Sequence, residues 1–191
     1  PNTGRMDYLG AMSFNLGYVT AVERLCGISV PDRAEYVRAI ATELNRLSSH
    51  LLWVGAYLAD LGALTPFLYV FDDREQINDI LEGITGSRLT YCYFRFGGLY
   101  NDVDADFIAG TRAFIARMRS RFSMYDKLIT NNVIFINRTR GIGAITPERA
   151  RKYGVSGPVL RGTGITMDMR KAEPYSVYGE VDFDIPTGTR G

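Results

Sequence analysis

DRAEYVRAIATELNRLSSHLLWVGAYLADL, residues 32–61, decides the reading of this chain. Val37, Ile40, Leu44, Leu47, Leu51, Val54, Leu58 and Leu61 recur at alternating spacings of three and four. That is the period of an apolar seam along one side of a packed helix. Pro31 and Asp32 suit its start, and Gly62 with Pro66 suits its end. At a rise of 1.5 Å per residue the helix would be about 45 Å long, enough to cross a domain.

A second stripe, Glu43, Arg46, His50, Trp53, Tyr57 and Asp60, follows the same spacing about 100° around the helix. It holds the chain's one His and one Trp. Two readings stand side by side. The stripe is a partly solvated face, with Arg46 paired to Glu43 and His50 satisfied by hydrogen bonds, or it lines a site whose polar groups need partners.

On the N-terminal side, residues 8–26 read as a helix with Leu9, Met12, Leu16, Val19, Val22 and Cys26 inward, Asp7 at its start and Gly27 at its end. A short link to the long helix makes an antiparallel hairpin, which puts Tyr8 and Asp60 near one pole. On the C-terminal side, residues 62–67 read as a turn. A third helix is expected over 72–86, with Asp72 and Glu75 as a capping box. RLTYCYFRFGG (88–98) alternates weakly, as a strand does. A fourth helix is expected over 104–129, burying Phe107, Ala113 or Phe114, Met118, Phe122, Tyr125 and Ile129 and exposing Arg112, Arg117, Arg119, Arg121 and Lys127. After Asn131 glycines and prolines multiply, with one short helix expected at 147–153. The fold class is therefore mainly α: a single domain over 1–191, with a core of long antiparallel helices over 1–130. Residues 131–191 form an irregular, Gly/Pro-rich wrapping segment with a few short strands.

Composition narrows the function classes. A net charge of +1 leaves no electrostatic footprint for nucleic acid. Cys26 and Cys92 form no CxxC pair, and with a single His they argue against a zinc or iron–sulfur centre held by this chain. No disulfide framework is present, so a reducing compartment is the default. No apolar run approaches the roughly 18 residues that a membrane helix needs, and no signal-peptide pattern appears. RGTGIT lacks the spacing of a dinucleotide fingerprint, and neither a phosphate-binding loop nor a Ser-His-Asp arrangement has local support. The chain opens on Pro1 and ends after PTGTRG, and reads as an internal piece of a longer protein.

RMDYLGAM, ELNRLSSHLLW, DLGALTPF, TGSRLTYCYFRFGG, GPVLRGTGITMDMRK and PYSVYGEVDFDIPTGTRG, in this order, resemble the quinone-site, D-type subunit of respiratory complex I. That family is related in fold to the large subunit of [NiFe] hydrogenases. The resemblance covers practically the whole chain. It implies a helical piece of a peripheral arm, on the cytoplasmic side of the inner membrane or its organelle equivalent. The implied partners are the other peripheral-arm subunits, including the one that carries the terminal 4Fe-4S cluster, and the membrane-arm subunits. NADH and flavin belong to other subunits, so the isolated chain should be inactive.

The family's quinone-head-group tyrosine falls on Tyr8, and the carboxylate of its DLGA motif falls on Asp60. In the family that carboxylate partners a histidine, which lies upstream of the residues present here. Quinone reduction consumes two electrons and two protons. A tyrosine hydroxyl can donate a hydrogen bond to a quinone carbonyl, and a carboxylate can answer the charge change. Arg88 and Arg95 are implied as positive groups near the partner's cluster. Many members have a histidine where this chain has Thr90, and there it makes the cluster potential pH-dependent. Thr90 cannot titrate, which implies a weaker pH response and suits a low-potential quinone such as menaquinone. The hydrogenase CxxC pairs are absent, so hydrogen chemistry is unsupported. The competing reading is a non-catalytic helical scaffold or assembly module of a multisubunit redox complex. An Asp60 locked in a surface ion pair would favour the scaffold, and one facing a cavity beside Tyr8 would favour the quinone site.

Overall fold

The computed structural model describes residues 2–188. Its main elements are α1 (Ala11–Cys26), α2 (Asp32–Asp60), α3 (Leu64–Thr85), β1 (Phe94–Arg95), β2 (Gly98–Leu99), α4 (Ala105–Tyr125), α5 (Val133–Thr139), α6 (Pro147–Lys152), α7 (Gly157–Gly162) and α8 (Met169–Ala172). The fold is mainly helical, as expected, and β1 and β2 form a small antiparallel ladder. The chain divides into two compact units, Pro1–Ile136 and Asn137–Gly191.

In the first unit α2 is the central rod. Its N-terminal half packs on α1 and its C-terminal half on α3, which returns antiparallel after a three-residue turn. At Gly55 the two helices come so close that a Cβ would lie 2.7 Å from Val70 Cγ2. The buried face of α2 is Ala34, Val37, Arg38, Ala41, Thr42, Leu44, Asn45, Ser48, Leu51, Gly55 and Leu58. It is rotated from the expected leucine seam, and Leu47 is exposed. Small and polar residues occupy the inner line because they admit close approach and specific pairing.

Three helix boundaries differ from expectation by more than one residue. Helix α1 starts at Ala11, not Tyr8, because the Asp7 carboxylate accepts the Leu9 N–H at 3.1 Å and folds residues 6–10 into a turn. Helix α3 starts at Leu64, eight residues early, with Pro66 in its first turn, where no N–H is required. Asp72 is therefore not a cap. Asp72 and Asp73 face α4, where fully buried Asp73 accepts from Arg117 Nε (2.9 Å), Arg121 Nε (3.1 Å) and the Tyr125 hydroxyl. Arg117 and Arg121 are thus clamps between α3 and α4 rather than a solvated face. Helix α4 is capped by Asp104 and ends at Tyr125 in a π turn over Asp126–Thr130, leaving Phe122 exposed.

A second polar hub joins α1, α2 and the ladder. Arg38 is fully buried and donates to Glu23 at 3.0 and 2.7 Å, to Glu35 at 3.2 Å, and to the carbonyls of Arg95 (2.7 Å) and Gly98 (3.0 Å). Glu23 also accepts the Gly97 N–H at 2.8 Å. Burial pushes the Glu23 carboxyl up, but the Arg38 hydrogen bonds, the Gly97 N–H and the Arg38 charge outweigh it and hold it below its ordinary value.

In the second unit Ala150, Leu160, Val177 and Tyr178 are buried. Asp168 caps α8, accepting from the Arg170 backbone N–H (3.0 Å) and its guanidinium (2.7 Å). The guanidinium also stands 4.7 Å from the Phe183 ring centre. The Arg170 hydrogen bond is the largest influence on Asp168. With the Arg170 N–H and the charges of Arg170 and Arg161 it outweighs burial and holds the carboxyl at about 2.

Removing Arg38 while keeping Glu23 strands a buried carboxylate. Arg38→Met is expected to cost about 3–5 kcal/mol in denaturant unfolding, and Arg38→Met with Glu23→Gln less than the sum of the two singles. For Asp168, a carboxyl lower in the folded than in the unfolded chain stabilises above the unfolded value of 3.8, and this is lost as pH falls towards about 2. Asp168→Asn should therefore lower the melting temperature by a few degrees at pH 7 and leave it unchanged near pH 2, as read by thermal unfolding.

Candidate functional site

Tyr8 stands in the turn between the Thr3–Arg5 3-10 helix and α1. Tyr8 is 57% exposed, and its side chain makes no hydrogen bond or aromatic contact among the described residues. Its position is therefore set by backbone on either side. Upstream, Gly4 lies against the 90–91 backbone, where a Cβ would stand 2.6 Å from the Tyr91 carbonyl oxygen. Downstream, the Leu9 carbonyl accepts from Asn45 Nδ2 and the Met12 N–H donates to Asn45 Oδ1, both at 3.0 Å.

Asp60 is exposed in the last turn of α2 and has no ion pair among the described residues. No basic residue stands in that turn, and the carbonyl end of a helix disfavours negative charge. Contrary to the hairpin expectation, Tyr8 and Asp60 do not share a pole. Helix α1 has 16 residues against 29 in α2, so it reaches only halfway and seats Tyr8 beside Asn45. From Asn45 to Asp60 is about 22 Å of helix rise.

The second stripe is exposed at His50, Trp53, Tyr57 and Asp60 and half-buried at Glu43 and Arg46. Glu43 accepts from Arg46 Nε at 3.1 Å, as in the solvated reading, and His50 is exposed. Towards Asp60, Trp53 stacks on Tyr57 at 6.3 Å, and Phe135 meets Tyr57 edge-on at 6.3 Å. A cavity of about 270 Å³, lined by Arg33, Tyr100 and Asp102 among others, opens at the opposite end of α2.

Arg88 donates to Glu75 (2.5 Å), Asp79 (2.8 Å) and Glu82 (2.6 Å). The hydrogen bonds to Asp79, Glu82 and Glu75 raise its already high pKa, and three carboxylates compensate its charge. Arg95 donates to the Cys92 carbonyl (2.9 Å) and lies 4.8 Å from the Tyr100 ring centre. Between them Thr90 has a φ of 54°, a left-handed conformation that is unusual for a β-branched residue. Tyr91 and Tyr93 donate to the carbonyls of Arg88 and Asn101 at 2.9 and 2.7 Å. Burial pushes each hydroxyl up to about 12, so both are fixed donors rather than proton sources.

No group of three or more His, Cys, Asp or Glu side chains suited to a metal occurs among the described residues, and no helix there is long and apolar enough to cross a membrane. Sequence reasoning missed Asn45 and Asn15, whose Oδ1 accepts the Phe94 N–H at 3.0 Å. The available signal was Arg38 and Asn45, a polar pair seven residues apart on one face of a helix.

Residues 60–191 match the family described as respiratory-chain NADH dehydrogenase, 49 Kd subunit. Over 191 residues the chain is 62% identical to the D-type subunit of NADH-quinone oxidoreductase from Desulfotalea psychrophila and 60% identical to that from Syntrophobacter fumaroxidans, spanning 51% of each. It is also 48% identical to the second C/D-type subunit of NADH-quinone oxidoreductase from Aquifex aeolicus, of which it spans 33%. The chain therefore extends over about half the length, or less, of these curated relatives. It belongs to the 49 kDa subunit family of respiratory-chain NADH dehydrogenase.

Proposed function

We propose that this chain forms part of the quinone-reduction site of a proton-translocating NADH-quinone oxidoreductase, with electrons arriving from an iron–sulfur cluster on a partner subunit. The observation behind the reading is similarity along the whole chain to D-type subunits, through the RMDY and DLGA segments, together with an exposed Tyr8 whose side chain has no hydrogen-bond partner among the described residues. The quinone takes up two electrons and two protons as it becomes quinol. Tyr8 donates a hydrogen bond to a head-group carbonyl oxygen, and its ring packs on the head group. Asp60 is the carboxylate that answers the charge change, through a histidine on another part of the same protein. Its place at a helix C-terminus without a compensating cation is costly, and that cost suits a group kept for its charge rather than for folding. Of the two signs set for Asp60, the ion pair of a scaffold is absent among the described residues, and the place beside Tyr8 is not met within this chain.

The chain's partners in this reading are the other peripheral-arm subunits, including the one that bears the cluster, and the membrane arm. Leu64 and Leu68, one turn apart and 62% and 61% exposed, support burial against other protein. The assembly would lie peripherally on the cytoplasmic face of the membrane. Of the two arginines proposed near the cluster, Arg95 keeps the less compensated charge, since Arg88 is shared among three carboxylates.

In the intact membrane enzyme, Tyr8→Phe should lower electron transfer to a short-chain quinone at least tenfold and leave transfer to an acceptor that bypasses the quinone site intact. Equal rates with both acceptors would return Tyr8 to helix packing and favour the scaffold. Redox titration of the terminal cluster between pH 6 and 8 should show a shallow pH slope in the parent and a steeper one in Thr90→His. The left-handed backbone at this position suits histidine better than threonine.

A further inference from the structure

We infer that Asn45 is the positioning residue for Tyr8, an assignment that rests on Tyr8 being the head-group tyrosine. Asn45 is 2% exposed in the middle of α2, and both ends of its carboxamide are engaged by the segment that carries Tyr8. Its Nδ2 donates to the carbonyl of Leu9, the residue directly after Tyr8, at 3.0 Å. Its Oδ1 accepts the N–H of Met12, a first-turn donor of α1 with no partner inside its own helix, at 3.0 Å. One planar group thus holds both the first turn of α1 and the chain where it leaves Tyr8.

The need for such a group follows from Tyr8 itself. No hydrogen bond or aromatic contact among the described residues fixes its side chain, so the backbone that carries Tyr8 sets the point from which its hydroxyl reaches. The upstream side is closed by Gly4 against the Tyr91 carbonyl and by Thr3 Oγ1, 3.5 Å from Asn15 Nδ2. The downstream side depends on Asn45 and on the Asp7–Leu9 hydrogen bond. An unmet carbonyl at Leu9 would turn towards water and carry the Tyr8 Cα with it, and catalytic groups displaced by about 1 Å can lose up to 100-fold in rate.

Asn45→Asp is nearly isosteric. It keeps the acceptor for the Met12 N–H and replaces the donor to Leu9 with an oxygen that repels the carbonyl. Asn45→Ser shortens the side chain and removes both bonds. Each variant is made in the intact membrane enzyme, alone and with Tyr8→Phe, and assayed with a short-chain quinone and with the bypass acceptor.

Positioning predicts that at least one Asn45 variant retains the bypass rate and shows a 3- to 10-fold lower kcat/KM for quinone with Tyr8 present. The same variant should show less than a twofold further loss in the Tyr8→Phe background, because the group being positioned is gone. Equal losses in both backgrounds, or no loss with Tyr8 present, would overturn the assignment. Loss of the bypass rate in both Asn45 variants would make Asn45 a folding residue and would overturn it as well. Full quinone activity in Tyr8→Phe alone would bring down the Tyr8 reading itself, a result seen before any Asn45 variant is compared.

Discussion

The buried guanidinium of Arg38 is the contact on which the first unit depends. It lies at 0% exposure where α1, α2 and the β1–β2 ladder converge, and it donates to two carboxylates and two backbone carbonyls. A lone buried charge would cost several kcal/mol, so the site is tenable only because Glu23 supplies the opposite charge and the Gly97 N–H completes Glu23. The ladder is two residues long on each strand and could not persist on its own hydrogen bonds. Its turn instead closes on the Glu23–Arg38 pair, and that closure organises the segment from Tyr91 to Tyr100.

The same economy recurs on the other side of α2. Asp73 is buried between α3 and α4 and is answered by Arg117, Arg121 and Tyr125. Burial first, then the Asp73 hydrogen bond and its charge, push the Tyr125 hydroxyl well above its ordinary range, so it stays a donor to that carboxylate at any physiological pH. The long helices are therefore joined by two charged locks with apolar packing between them.

Much of this was legible in the sequence. The bounds of α2, the glycine that ends α1 and the helical class follow from local rules that the tertiary structure respects. The errors have physical causes. Pro66 reads as a helix stop but is equally compatible with a first turn, and that ambiguity moved the start of α3 by eight residues. Arg117 and Arg121 read as surface because charge is normally solvated, and only the fold brings Asp72 and Asp73 opposite them. The leucine seam lies slightly off the true inner face because Asn45, Ser48 and Gly55, which a hydrophobic pattern ignores, mark where the neighbours approach closest. Tyr8 and Asp60 are proposed from the motifs rather than from periodicity. Their supposed proximity failed because a hairpin rule says nothing about unequal helix lengths.

That inequality also explains why polar residues sit in the seam at all. A leucine-lined interface tolerates a slip of one turn, about 5.4 Å, because the pattern nearly repeats. A slip of α1 along α2 would carry Tyr8 by the same distance while leaving most of the apolar burial intact. Arg38 and Asn45, seven residues apart on the inner face, do not tolerate it: Glu23 would miss the guanidinium, and Leu9 and Met12 would miss the carboxamide. Buried polar pairs add little net stability against well-packed apolar ones, but they discriminate strongly between registers. In this chain the apolar residues make the helices associate, and the two polar anchors set the height at which Tyr8 stands on α2.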